Sequence, residues 1–321
     1  MKILRVGDPH VKVSNLLESN SLMEFVLACA AHHKVDRIEL LGDLFHTHAV
    51  LRLEVVQFWR FWLERLSNMF ETVVLVGNHD VSGDHSSSGS ALSVFTLINN
   101  GKLHIIEKPT RLGVYGYIPY IHDADSFVIA ANGLISEGAT IPVCHQTFDG
   151  SRFENGFYAP GGIDPGRINS NLIISGHIHA AQEFGKVWYP GTARWDSASD
   201  ANQVKGIWFC THDDEGKLLE KVLLETDHVC IPIYSYEWKE GSEAPVIPEG
   251  SRASVELVGS SEWISKQKIK LKGLCSIKTK ITDKKLEVRK AGTNLQDFVA
   301  NHFESKLKTK VLAYMKELNF V

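Results

Sequence analysis

Short apolar runs bounded by Gly, Asp and Asn recur through the first 225 residues, at 3–6, 38–41, 73–76, 141–144, 173–175, 187–189 and 207–210. Runs of this length are what strands buried on both faces leave in a sequence. Helical stretches at 21–33 and 51–69 separate the first three. Strand–helix–strand alternation of this kind predicts an α/β fold with helices covering a sheet.

The stretch 51–69 carries Leu51, Leu53, Val55, Val56, Phe58, Trp59, Phe61, Trp62, Leu63, Leu66 and Met69. These cover more of a helix than one core-facing stripe requires, so two buried faces are expected. One would lie on the sheet. The other would meet a second copy in a two-fold homodimer or a neighbouring helix at 91–98.

After Leu224 the texture changes. Residues 237–248 are rich in Glu, Gly, Ser and Pro without periodicity and read as a linker or long loop. Strands are expected at 252–258 and 274–281, flanking a segment at 263–271 that is compatible with helix or strand. Asn294 with Asp297 three residues on resembles a capping box, and Leu295, Phe298, Val299, Phe303, Leu307, Val311, Met315 and Leu318 follow at helical spacing. The expected divisions are thus a core at 1–225, a small α+β domain at 226–292 and a closing amphipathic helix at 293–321.

The net charge of -4 hides a split along the chain. Residues 263–321 hold 14 Lys+Arg against 5 Asp+Glu, leaving 20 against 33 for residues 1–262. A basic tail of this kind is either a solvated face or a surface for a polyanion. Five dispersed cysteines with no CxxC pair argue against a disulfide framework and a structural zinc site. With no leader-like segment and no apolar stretch long enough to span a bilayer, the expected location is cytoplasmic, without membrane association.

Five polar segments each follow a predicted strand: Asp8-Pro9-His10, Gly42-Asp43, Gly77-Asn78-His79-Asp80, His145, and Gly176-His177-Ile178-His179. In α/β folds ligands collect at the carboxyl ends of strands, so the five are expected in one pocket. Carboxylate and amide oxygens suit hard divalent cations, and imidazoles suit transition metals; this set is sufficient for two ions. Asp8 and His10, two apart, would point the same way off a strand end. Asp8, His10, Asp43 and His179 would serve one ion, and Asp43, Asn78, His145 and His177 the other. Two ions about 3.5 Å apart can hold a bridging hydroxide and clamp a phosphoryl centre. His79, beside a ligand but turned elsewhere, is left to act on substrate as a general acid, with Asp80 orienting and polarising it.

The ordered set DPH, GD, GNHD, H, GHIH resembles the calcineurin-like metallophosphoesterase superfamily. That resemblance implies a four-layer α/β sandwich and a di-metal centre, typically manganese, with magnesium as the alternative. Gly42-Asp43-Leu44-Phe45-His46 is similar to the SbcD-type, double-strand-break-repair exonuclease branch, where the histidine matching His46 lies near the scissile phosphate. Protein phosphatases of the superfamily read GDxxDRG and RGNHE; GDLFHTH and VGNHD here lack those arginines. The layout after residue 225 resembles the capping domain of such nucleases, and the closing helix resembles the segment that docks on an SbcC-like coiled-coil ATPase. The compact length and the segment HQTFDGSRFENGFYAPGGIDP look similar to bacteriophage-encoded members, whose setting would be the host cytoplasm. The function implied is a metal-dependent DNA exonuclease or endonuclease subunit of a repair or recombination complex. Lys278, Lys280 and Lys306 are the candidate DNA contacts. The same motifs also fit a phosphodiesterase for a small substrate such as a cyclic nucleotide, or a binding protein with a weak site.

Overall fold

The computed structural model describes residues 1–48, 50–81, 89–98 and 100–282. The first half contributes β1 (Lys2–Val6), α1 (Leu16–His33), β2 (Arg37–Leu40), α2 (Leu53–Met69), β3 (Glu71–Leu75), β4 (Leu103–Ile106), β5 (Thr110–Leu112), β6 (Tyr115–Ile118) and α3 (Ala124–Ser136). There follow β7 (Ile141–His145), β8 (Ile173–Gly176), β9 (Gln182–Phe184), β10 (Val187–Tyr189), β11 (Gly206–His212) and β12 (Leu218–Glu225). The remainder holds β13 (Ile233–Lys239), β14 (Arg252–Gly259), α4 (Ser261–Leu271) and β15 (Ser276–Ile281).

Two six-stranded sheets form the core, in the orders β12-β11-β1-β2-β3-β4 and β5-β6-β7-β8-β10-β9. In the first, β1 to β4 run parallel and β11 and β12 close one side antiparallel. In the second, β6, β7, β8 and β10 run parallel between antiparallel edges.

Strand alternation sorts the side chains into layers. Leu4, Val6 and Val74 join Val26, Trp59 and Trp62 of α1 and α2 on the outer side of the first sheet. Ile3, Val73 and Leu75 meet Tyr115, Tyr117, Val143 and Ile174 between the sheets. Phe127 and Ala131 of α3 cover the second sheet with Ile173 and Val187. The result is the expected four-layer α/β sandwich.

The inter-sheet layer also holds charge that periodicity gave no reason to expect there. Arg5 Nε donates to Glu39 at 2.8 Å with both side chains buried, Tyr117 hydrogen-bonds the same carboxylate, and Arg37 donates to Tyr117 at 2.8 Å and pairs with Glu71 at 2.8 Å. Burial of these charges is offset because Arg5 faces Glu39 and Arg37 faces both Tyr117 and the partly exposed Glu71.

Several expectations need adjusting. On α2 the buried set is Val55, Trp59, Trp62, Leu63 and Leu66, while Leu53, Phe61 and Met69 are exposed. The buried residues form one stripe, with Val56 and Phe58 half-buried at its margins. Residues 91–98 begin as a short 3-10 turn, Ala91–Phe95, whose Leu92 and Phe95 belong to the same core cluster. Residues 237–248 are not all linker, since β13 runs to Lys239. Segment 263–271 is helical, with Ser260 capping α4 by accepting the Trp263 N–H. The closing helix at 293–321, including Lys306, lies outside the described residues.

The chain divides into two compact units, one of Met1–Ser235 with Ile247–Ala253 and one of Tyr236–Val246 with Ser254–Val321. Among the described residues of the second, β14 and β15 pair in parallel, and Ser276, Lys278 and Lys280 are all exposed. Lys278 and Lys280 therefore share one face of β15.

Candidate metal centre

All five segments converge at the carboxyl ends of β1, β2, β3, β7 and β8. The backbone pays for this convergence locally: Asp8, His10, Asp43 and His177 have φ of 29°, 44°, 52° and 83°. Non-glycine residues rarely adopt such angles, and where they cluster they mark sites held by their surroundings. β1 ends at Val6, so Asp8 and His10 are aimed by this left-handed loop and not by strand periodicity.

Two donor groups result. His10 Nε2 lies 3.0 Å from His179 Nε2, in a group with Asp8; His145 Nε2 and His177 Nδ1 lie 3.0 and 2.7 Å from Asn78 Oδ1, in a group with Asp43. Asp43 Oδ2 stands between them, 3.3 Å from His145 Nε2 and 3.7 Å from His10 Nε2. Neighbouring donors in an octahedral shell with bonds of about 2.1 Å lie about 3 Å apart, so these spacings fit divalent cations. Asp8 Oδ1 is buried without a hydrogen-bond partner, a further acceptor that a cation would satisfy.

The electrostatics agree. Burial raises the Asp8 carboxyl to about 6, against the pull of His145. Burial opposes charge on Asp43 too, but His145, His10 and His79 hold it well below the carboxylate range. Burial also opposes charge on His145, yet Asp43 and Asp8 prevail and push it up to about 10. Its Nδ1 faces the Leu41 carbonyl at 2.7 Å, which leaves Nε2 for the centre. Burial, with His145 nearby, lowers His177 to about 3, and burial lowers His10 strongly.

His79 and His46 stand beside the donors. The ring centroid of His79 is 4.8 Å from that of His10, and that of His46 is 5.7 Å away. His79 Nδ1 meets the His46 carbonyl oxygen at 2.8 Å, and its Nε2 turns toward Asp43 Oδ2 at 4.0 Å. Burial lowers its pKa against the effect of Asp43. The expected role of Asp80 is corrected. Its two oxygens accept the N–H groups of Gly77 and Phe45 at 2.9 and 3.1 Å, so it fixes the loops that carry Asn78 and Asp43 while the His46 carbonyl orients His79.

Several participants escaped the sequence reading. Buried Arg194 donates to the Pro9 carbonyl at 2.9 Å and the His10 carbonyl at 3.0 Å, and pairs with Asp196 at 2.8 Å. Asp196 in turn lies 3.1 Å from Lys12 Nζ and 3.5 Å from His46 Nδ1. Glu154 Oε1 approaches His179 Nδ1 at 3.6 Å, and His48 stacks on His79 at 4.0 Å. The signal for Arg194 and Asp196 was available: they follow β10, another parallel strand whose carboxyl end points the same way.

A calcineurin-like phosphoesterase family model matches residues 1–181, and the chain belongs to that family. A protein of Invertebrate iridescent virus 6 named as a phosphoesterase, 244L, is 28% identical over 201 residues, covering 60% of this chain and 69% of its own. A second, 078R of Invertebrate iridescent virus 3, is 26% identical over 206 residues, covering 60% of this chain and 57% of its own. Exonuclease subunit 1 of Enterobacteria phage T4 is 25% identical over 226 residues, covering 67% of this chain and 66% of its own. The chain thus matches only part of each relative. Among solved structures, the phosphoesterase YfcE of E. coli aligns with TM-score 0.34 at 14% identity over 70% of this chain and 99% of its own. The nuclease MPE of Pseudomonas putida aligns at 0.30 and 11% over 69% and 78%, and these likenesses are too loose to bear on function. Among the described residues no helix is long and apolar enough to cross a membrane.

Proposed function

We propose that this phosphoesterase is a manganese-dependent DNA nuclease, the exonuclease subunit of an SbcCD-like assembly. The observation that carries the reading is the placement of His46 and His79 together beside the donors, 6.3 Å apart between ring centroids. His46 belongs to the segment that resembles the exonuclease branch. The partial similarity to a phage exonuclease subunit supports the same choice.

Two divalent ions, when bound, supply Lewis-acid polarisation of a phosphoryl oxygen and an acidified water for attack on it. Asp8, His10, Asp43 and His179 would hold one ion, and Asp43, Asn78, His145 and His177 the other. Arg194 holds the carbonyls of the Asp8–His10 loop, and Asp80 holds the amides of the two neighbouring loops. His79, tethered through Nδ1, presents Nε2 to the centre and, as the imidazolium, gives the Nε2 proton to the leaving 3′ oxygen, ending as the neutral ring with Nδ1–H still on the His46 carbonyl. His46, backed by Asp196, donates to a non-bridging oxygen of the same phosphate. The basic tail and its coiled-coil ATPase partner belong to the same proposal and rest on the sequence resemblance.

The test compares manganese-dependent turnover of linear DNA with that of a small aryl phosphodiester. DNA should be favoured by a wide margin, and His79→Gln should lower kcat by roughly two to four orders of magnitude with manganese affinity kept within about twofold. Equal or better turnover of the small diester, with DNA untouched, would overturn the nuclease reading.

A further inference from the structure

Beside the centre stands a small hairpin that the proposed mechanism does not use. Ser151 to Ala159 is closed by its own backbone: the Ala159 N–H donates to Ser151, the Phe153 N–H to Phe157 and the Gly156 N–H to Phe153, each at 2.9 Å. Arg152 pairs with Tyr158 across it. Gln182 clamps the base, accepting the Arg152 N–H at 2.8 Å and donating to the Arg152 carbonyl at 2.7 Å. The hairpin reaches the metal ligands directly, through Glu154 against His179.

The aromatic rings on this hairpin are turned to water. Phe157 is 72% exposed, Tyr158 63% and Phe153 38%. The backbone bonds that close the hairpin need no ring, and of the three aromatics only Tyr158 also makes a side-chain contact across it, so closure of the hairpin does not account for Phe153 and Phe157. The register sets Phe153 opposite Phe157 on one face and Arg152 opposite Tyr158 on the other. Arg152 lies over the Tyr158 ring at 4.4 Å and donates to its hydroxyl at 2.7 Å, so a cation is fixed against Tyr158, on the face away from Phe153 and Phe157.

We infer that this hairpin is a base-stacking site for unpaired nucleotides of the strand whose phosphate occupies the metal centre, an inference that rests on the nuclease reading. A planar base offers both faces to aromatic rings, whereas a closed duplex buries those faces in its own stack. Continuity with the centre through Glu154 and His179 makes the occupant substrate, and Arg152 adds attraction for bases and phosphates alike. The hairpin therefore selects single-stranded or frayed DNA over closed duplex.

The test uses the full chain carrying Phe157→Ala with Tyr158→Ala. Binding of a fluorescent single-stranded oligonucleotide in EDTA is read by anisotropy, alongside closed duplex and manganese-dependent hydrolysis of a small aryl phosphodiester. Loss of stacking should weaken single-strand binding by roughly 5- to 150-fold, with duplex binding changed less than about threefold and aryl diester turnover within about twofold. Phe157→Trp should retain the parent affinity and Phe157→Leu should lose it. Unchanged single-strand binding in the double variant overturns the inference, as does Phe157→Leu behaving like the parent. A change in oligomeric mass with unchanged single-strand binding also overturns it, assigning the hairpin to contact with a second copy. A parent that hydrolyses the aryl diester but neither binds nor cuts any DNA removes the nuclease reading itself, a result seen before any variant is made.

Discussion

Arg194, itself buried, donates through Nη2 to the carbonyl oxygen of His10 at 3.0 Å. The same guanidinium holds the Pro9 carbonyl, so one side chain fixes a loop whose two candidate ligands, Asp8 and His10, sit in left-handed backbone.

Arg194→Met should therefore act twice. It removes donors from two carbonyls and the partner of Asp196, a loss expected to cost about 3 to 5 kcal/mol in urea unfolding. It also frees the Asp8–His10 loop, so manganese affinity should fall at least about tenfold, with Arg194→Lys recovering part of the stability. An unaltered manganese affinity would show that the loop holds its shape without the guanidinium.

Gly77→Ala tests the close approach behind Asn78. A Cβ there would lie 2.2 Å from Asp43 Oδ1 and 2.4 Å from the Asp43 backbone nitrogen, far inside van der Waals contact distance. The loops must separate to admit it, displacing Asp43 from between the donor groups. Manganese binding should be lost and stability reduced by about 1 to 3 kcal/mol, both read from one thermal titration with and without metal.

Metal binding should release protons. His145, pushed up to about 10, carries a proton at pH 7 that must leave before Nε2 can coordinate. Calorimetric titration of manganese in buffers of different ionisation enthalpy should show release of one proton or more, and His145→Asn should remove that component. Manganese at a hundredfold excess over its Kd should stabilise the fold by about 2.7 kcal/mol, reversed by EDTA.

His212 should govern part of the acid limb of stability. Its Nε2 faces Arg5 at 3.0 Å and its Nδ1 faces the Gly216 carbonyl at 3.0 Å, and burial with Arg5 lowers it to about 4. A folded value below the ordinary 6.5 means that the unfolded chain binds the proton first. The contribution is complete above pH 6.5 and is lost as pH falls toward 4. Urea unfolding in EDTA at pH 7 and 4.5 should give a smaller difference for His212→Gln than for the parent; equal differences would exclude His212 as a source of the acid sensitivity.

The sequence made the centre legible because its chemistry is local: each polar segment follows an apolar run, and Asp8, Asp43, Asn78 and His177 sit directly after Gly, so these four and His145 could be placed at strand ends. What it hid was contact between distant segments. Asp80 next to His79 suggested a pair, but Asp80 is spent on the amides of Gly77 and Phe45. Arg194 and Glu154 carry no local pattern and gain meaning only where their loops meet the centre. Arg5 and Glu39 read as ordinary charges in short strands, and only the stacking of two sheets makes them buried partners. The apolar excess of α2 was visible, but that a single stripe is buried while Phe61 stays exposed could not be read from helical periodicity.

His10 and His179, which face each other at 3.0 Å, stand 169 residues apart in the chain. During synthesis at about 5 to 20 residues per second, His179 is added on the order of ten to thirty seconds after His10. Throughout that interval the growing polypeptide lacks a complete donor set. A product of stalled or truncated translation ending before His177 would lack one histidine from each of the two donor groups, because both come from a segment made only after most of the two-sheet scaffold.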